Sequence, residues 1–112
     1  MIALNWSAHE RKAARSAFEA ALSRELAEVR RGIESILRSS DDATEIWRVR
    51  DYLNEKAREI DHKYDFRYSV LIGVFAQLIA EGWLTIEELA GMDSEKLDLI
   101  RERNAVRKQI DA

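Results

Sequence analysis

Residues 7–38 read SAHERKAARSAFEAALSRELAEVRRGIESILR, and this stretch decides the fold. It opens on Ser7-Ala8-His9-Glu10, the S-x-x-E spacing in which hydroxyl and carboxylate each satisfy an orphan backbone N–H at a helix start. No breaker follows except Gly32. The apolar positions are Phe18, Leu22, Leu26, Val29, Ile33 and Ile36, spaced 4, 3, 4, 3 from Leu22 onward. That is the seam of a helix packed along another helix. Charged residues such as Glu19, Arg24, Glu28, Arg30, Arg31 and Glu34 fill the other faces. A helix of about 31 residues at 1.5 Å each is a rod of roughly 46 Å. A compact domain of this size is roughly 35 Å across. The rod overhangs its domain while its apolar seam continues. A second copy of the chain is the simplest cover, so the sequence predicts a homodimer with Leu22, Leu26, Val29, Ile33 and Ile36 at the interface.

Composition agrees with long helices. The chain of 112 residues has no proline and only 4 glycines, and its length fits one domain. Hydrophobic residues make up 46% and charged residues 35%, enough for a core under a charged surface. A net charge of −3 lacks the basic excess of a nucleic-acid binder. Cysteine is absent, which removes disulfides, thiolate metal sites and cysteine nucleophiles. The start, Met1 to Trp6, has no basic or continuous apolar targeting pattern. The apolar run Val70 to Ala80 is far short of a membrane span, and Gln77 interrupts it. The expectation is a cytoplasmic protein.

Further along, Ser39-Ser40-Asp41-Asp42 ends the first helix, and Asp42 with Glu45 repeats the capping-box spacing. The second helix carries Ile46, Val49, Leu53, Ala57, Ile60 and Tyr64 on one stripe, expected to face the core. The segment Asp61-His62-Lys63-Tyr64-Asp65 reads as a turn or sharp bend. A third helix is predicted over Arg67 to Glu81, apolar nearly all round and hence buried. Gly82 suits its left-handed C-terminal position. Thr85-Ile86-Glu87-Glu88 opens a short helix that Gly91 ends, and Ser94 is placed to cap a last one. The stripe of that last helix weakens beyond Ile100, so its tail is expected to fray. The fold class is all-α.

Catalytic chemistry finds little purchase. His62 with Asp61 and Asp65 lacks a second histidine in register and falls short of a metal site. Ser69 has no glycine-rich turn beside it to form an oxyanion hole. An enzyme of the chorismate-mutase type would need an arginine such as Arg15 turned into the bundle. The simpler reading leaves Arg15 in water. No metal, cofactor or catalytic residue is therefore assigned. A different face is more informative: Trp47, Arg50, Asp51, Asn54 and Arg58 lie together on the second helix, away from its apolar stripe. Tryptophan and arginine are frequent binding hot spots. Cover of Trp47 by the first helix or by a second copy is the structural alternative.

The stretch Glu59-Ile60-Asp61-His62-Lys63-Tyr64-Asp65-Phe66-Arg67-Tyr68-Ser69-Val70, continued by Val74-Phe75-Ala76-Gln77-Leu78 and Glu81-Gly82, resembles the fluorescence recovery proteins of cyanobacteria. Trp47, Asp51, Leu53 and Lys56 extend the similarity, and Trp6-Ser7, Phe18 and Arg24-Glu25-Leu26 carry it into the first helix. The resemblance implies one all-helical, dimeric domain over residues 1–112, with stalk helices over about 7–64 and a small head over about 65–112. It implies binding of the light-activated orange carotenoid protein, mainly through that partner's C-terminal domain. The partner's return to the inactive orange state is accelerated and phycobilisome quenching ends, without covalent chemistry. The family's functional tryptophan and aspartate fall on Trp47 and Asp51. Three positions depart from the family. Ala57 replaces a functional arginine, Arg50 replaces a histidine, and Gly73 replaces a bulky apolar residue, which would loosen the head. These departures are compatible with a runner-up reading: a dimeric helical adaptor or chaperone-like protein with another client, in a bacterium without phycobilisomes.

Overall fold

The computed structural model describes residues 4–111, so Met1 to Ala3, part of the N-terminal stretch read for targeting signals, lie outside it. Helix α1 spans Ala8–Ser39 and opens as the sequence dictates. The Ser7 hydroxyl accepts from Glu10 N–H and the Glu10 carboxylate accepts from Ser7 N–H, both at 3.1 Å. Helix α2 spans Glu45–Lys63, α3 spans Leu71–Ala80, a 3₁₀ helix covers Ile86–Leu89, and α4 spans Ser94–Asp111. All of these described elements are helical.

Helices α1 and α2 form an antiparallel hairpin. Gly32 makes the close approach possible, since a side chain there would collide with the Tyr52 ring. Beyond the hairpin, α3 and α4 pack together under the first half of α1. Phe75, Leu71, Leu78, Leu89 and Ile100 are fully buried. Ala14, Ala17, Phe18 and Ala21 of α1 complete that core. Helix α1 therefore crosses the expected division into stalk (7–64) and head (65–112): its first half is part of the head's core. The radius of gyration is 17.0 Å and the extents are 54 × 34 × 24 Å, against about 13 Å for a compact chain of this length. The overhang expected from α1 is present.

Several local readings need correction. The Asp42 carboxylate does not cap α2 through Glu45. It accepts from the Thr44 N–H at 2.9 Å and the Thr44 hydroxyl at 2.8 Å, and the Glu45 carboxylate pairs with Arg48. Helix α2 continues through the expected bend to Lys63. Helix α3 starts at Leu71 rather than Arg67. Residues 64–70 are non-helical because Phe66 and Tyr68 both turn toward the N-terminal part of the chain, Phe66 onto α1 and Tyr68 onto Trp6 just before it. Phe66 meets Phe18 edge-on at 4.9 Å and Tyr68 packs on Trp6 at 5.4 Å. A helix would turn positions two apart to nearly opposite faces. Asp93, not Ser94, caps α4, its carboxylate accepting from the Lys96 N–H at 2.9 Å. Helix α4 is continuous to Asp111.

Other readings hold. Gly82 has φ +86°. Its N–H reaches the Ile79 carbonyl at 3.1 Å, and Trp83 N–H reaches the Leu78 carbonyl at 2.9 Å, the paired bonds that close a helix C-terminus. The Glu88 carboxylate accepts from Thr85 N–H at the start of the 3₁₀ helix. Gly91 lies tightly on α1, where a side chain would strike Ala13. Space above Gly73 is taken by the Arg103 guanidinium of α4, so the missing bulk is partly replaced.

Candidate functional site

Helix α2 rests on α1 through Val49, Tyr52 and Lys63. Trp47, Arg50, Asp51, Asn54 and Arg58 lie roughly 130–170° around the helix from that contact, at 100° per residue. All five are exposed, and Trp47 retains 57% of its surface. Helix α1 does not cover it. The Arg50 guanidinium lies 5.3 Å from the Trp47 ring centroid and donates to the Asp51 carboxylate at 3.0 Å. The chain thus presents an aromatic ring, a cation and an anion as one cluster on a rigid helix. Such a surface can bind another protein.

The stripe expected to face the core is split. Val49 and Ile60 are buried and Tyr64 is half-buried, but Ile46, Leu53 and Ala57 lie open. These three stand roughly 70–110° from the α1 contact. On α1, Val29 is buried against the hairpin, Leu22, Ile33 and Ile36 are half-buried, and Leu26 keeps 49% of its surface. Leu22, Leu26, Ile33 and Leu37 are turned through a similar angle. Because the helices run antiparallel, equal rotations bring both flanks to the same side of the hairpin. The result is one apolar face beside the Trp47 cluster.

Beneath this surface a buried ionic junction fixes where α2 ends. The Lys63 ammonium lies 2.7 Å from Glu25 of α1 and 2.6 Å from Glu81. The Tyr64 hydroxyl donates to Glu25 at 2.9 Å, and Gln77 and Trp83 side chains donate to Glu81. Burial works against the Lys63 charge, but the hydrogen bonds to both carboxylates outweigh it and raise its pKa. Burial, then the bond to Glu25, pushes the Tyr64 hydroxyl far up. Glu81 is lowered although burial opposes this, because Lys63 and Gln77 donate to it. Arg24 holds the 3₁₀ helix to α1 through Glu88 and the Trp83 carbonyl.

Sequence reasoning missed this junction. Glu25 falls on the same stripe as Phe18, Leu22 and Val29, and a carboxylate at a core position is the signal that predicts a buried partner. The residues weighed for chemistry stay apart. His62 is exposed, and among the described residues no group of His, Cys, Asp or Glu could hold a metal ion. Ser69 is an exposed turn residue. Arg15 is exposed and lies 3.9 Å over the Phe66 ring, not inside the bundle. No described helix is long and apolar enough to cross a membrane.

Comparison with known proteins places this geometry. The fluorescence recovery protein of Synechocystis is 36% identical over 96 residues, covering 86% of this chain and 88% of that protein. The solved structure of the Fremyella diplosiphon fluorescence recovery protein matches with a TM-score of 0.79 at 40% identity, over 88% of this chain and 96% of that one. The Synechocystis structure matches with a TM-score of 0.80 at 36% identity over the same shares. The profile of the photoprotection regulator fluorescence recovery protein matches residues 6–102. The chain belongs to the fluorescence recovery protein family of photoprotection regulators.

Proposed function

We propose that the chain is a non-enzymatic, cytoplasmic regulator that works as a homodimer and binds photoactivated orange carotenoid protein. It speeds the partner's return to the inactive orange form and so ends phycobilisome quenching. The exposed Trp47, with Arg50 and Asp51 beside it, carries this reading. A tryptophan left open on a polar helix face has no role in the chain's own core, and tryptophan and arginine are the usual anchors of an interface. Asn54 and Arg58 extend the contact. The open apolar flank of the hairpin, with Leu26 at its centre, supports the second copy, which would leave the Trp47 cluster at the dimer's edge. No covalent step is needed. A tenfold faster return requires the regulator to favour the partner's transition state by about 1.4 kcal/mol over its active state.

The test is the dark recovery of photoactivated carotenoid protein with and without the chain, read alongside co-elution of the two proteins. Faster recovery with co-elution supports the proposal. A second reading, regulation of a different client by the same face, is favoured by Ala57, where the resemblance places a functional arginine. Unchanged recovery and separate elution would turn the assignment to that client.

A further inference from the structure

The head contains a groove of about 820 Å³ between α3 and α4, within the range of roughly 300–1,000 Å³ usual for small-molecule sites. Ile72 and Gly73 form its floor and Leu99 and Val106 its apolar wall, with Arg103 and Arg107 along the same side. Gly73 leaves room for the Arg103 guanidinium to reach into it. A side chain there would stand 2.7 Å from the Arg103 Nη1, so the guanidinium occupies space that any larger residue would fill. The family match ends at residue 102 while α4 runs on to Asp111. The wall formed by Arg103, Val106 and Arg107 lies on the part of α4 beyond the residues that the family profile matches. It is also open, with Val106 keeping 55% of its surface.

We propose that this groove binds a free long-chain monocarboxylate. The apolar floor and wall take the tail, and the Arg103 and Arg107 guanidinium groups take the carboxylate. Each guanidinium presents a planar fork that fits a carboxylate. Glu102 also faces the groove. Two cations and one anion leave a single positive charge, which suits one negative head group better than a dianion. This site lies in the head, away from the Trp47 face, and does not depend on the function proposed above.

The test is calorimetric titration with dodecanoate below its micellar range, against dodecanol, acetate and dodecyl phosphate. One saturable site per chain is expected for dodecanoate. Dodecanol lacks the charge-assisted contact and should bind roughly tenfold or more weakly, as should acetate, which lacks the tail. The double variant Arg103→Gln/Arg107→Gln should lose that advantage while binding dodecanol as before. Gly73→Leu should abolish binding. Should that variant fold poorly, Val106→Glu places a negative charge on an exposed wall and should also abolish it. Equal binding by these variants, tighter binding of dodecyl phosphate, or association only with anionic vesicles would overturn the proposal.

Discussion

Lys63 Nζ, on the last turn of α2, lies 2.7 Å and 2.8 Å from the two carboxylate oxygens of Glu25, in the middle of α1. Both side chains are almost fully buried, at 8% and 9% exposure. Removing one partner of a buried pair leaves an uncompensated charge, which costs about 3–5 kcal/mol. Lys63→Met is expected to lose that much, because Glu25 and Glu81 both lose their cation. The double variant Glu25→Leu/Lys63→Met should recover part of the loss. Urea denaturation of the three proteins checks this, and equal stability of Lys63→Met and the native chain would contradict it.

Acid should loosen the head at two places. Glu10 is lowered to about 2 by the N–H groups of Ser7 and Asp93, against the pull of burial, and by Lys96. Glu88 is lowered to about 2 chiefly by Arg24. Each carboxyl binds its proton less tightly folded than unfolded, where its pKa is 4.5. The stability they contribute is complete above about pH 4.5 and is lost as pH falls toward 2. Melting temperature should therefore drop between pH 5 and pH 3. Glu10→Gln should show a shallower drop across that window, and an unchanged slope would rule out Glu10 as a source.

Leu26 tests the apolar flank cleanly because half its surface is open within one chain. Leu26→Glu should leave the helical content intact and halve the sedimenting mass at micromolar concentration. The half-buried Ile33 offers a harsher version, in which a buried carboxylate adds a folding penalty. A dimer that persists in Leu26→Glu would mean that this flank is not the interface.

What the sequence made legible follows from what each signal measures. Heptad spacing in α1 and the apolar run of α3 report burial over many residues; α1 appears where expected, and α3 begins four residues later than expected. Tyr64, just past the end of α2, is half-buried against Glu25, in line with its place on the expected stripe. Lys63 beside it read as a solvated bend, because local polarity does not show that Glu25 and Glu81 converge on it from distant elements. The same limit applied to α2, whose stripe reports apolar character and not which side meets α1. Ile46 and Leu53 consequently lie open while Tyr52, on no apolar stripe, packs onto Gly32. The Trp47 cluster was readable because its members share one face of one helix. The groove at Gly73 was not, since Arg103 reaches it from 30 residues away.

Asp51 separates binding from folding. Its side chain is 68% exposed and its only described ion-pair partner, Arg50, is 60% exposed. An exposed pair contributes at most about 1 kcal/mol. Asp51→Leu should therefore leave the melting temperature nearly unchanged and weaken client binding. A fall of many degrees would assign Asp51 to the fold instead.

Ala57 carries the sharpest test of the client. It is exposed on α2, between the apolar flank and the Trp47 cluster, so an arginine there can extend outward with its charge in water. Arg58, one position on, points roughly 100° away and cannot take the same place. A guanidinium makes a planar, multi-donor contact with a carboxylate or carbonyl, and alanine makes none. One charge-assisted contact is worth about 1.5–3 kcal/mol, or roughly 10- to 150-fold in affinity. The native chain should then accelerate recovery of the carotenoid protein weakly. Ala57→Arg should raise binding or rate by that factor with little change in stability, arginine being nearly as good a helix former as alanine. The measurement is the dark recovery rate of the photoactivated protein with each variant at equal concentration. Full activity of the native chain, unchanged by Ala57→Arg, would overturn this reading of position 57.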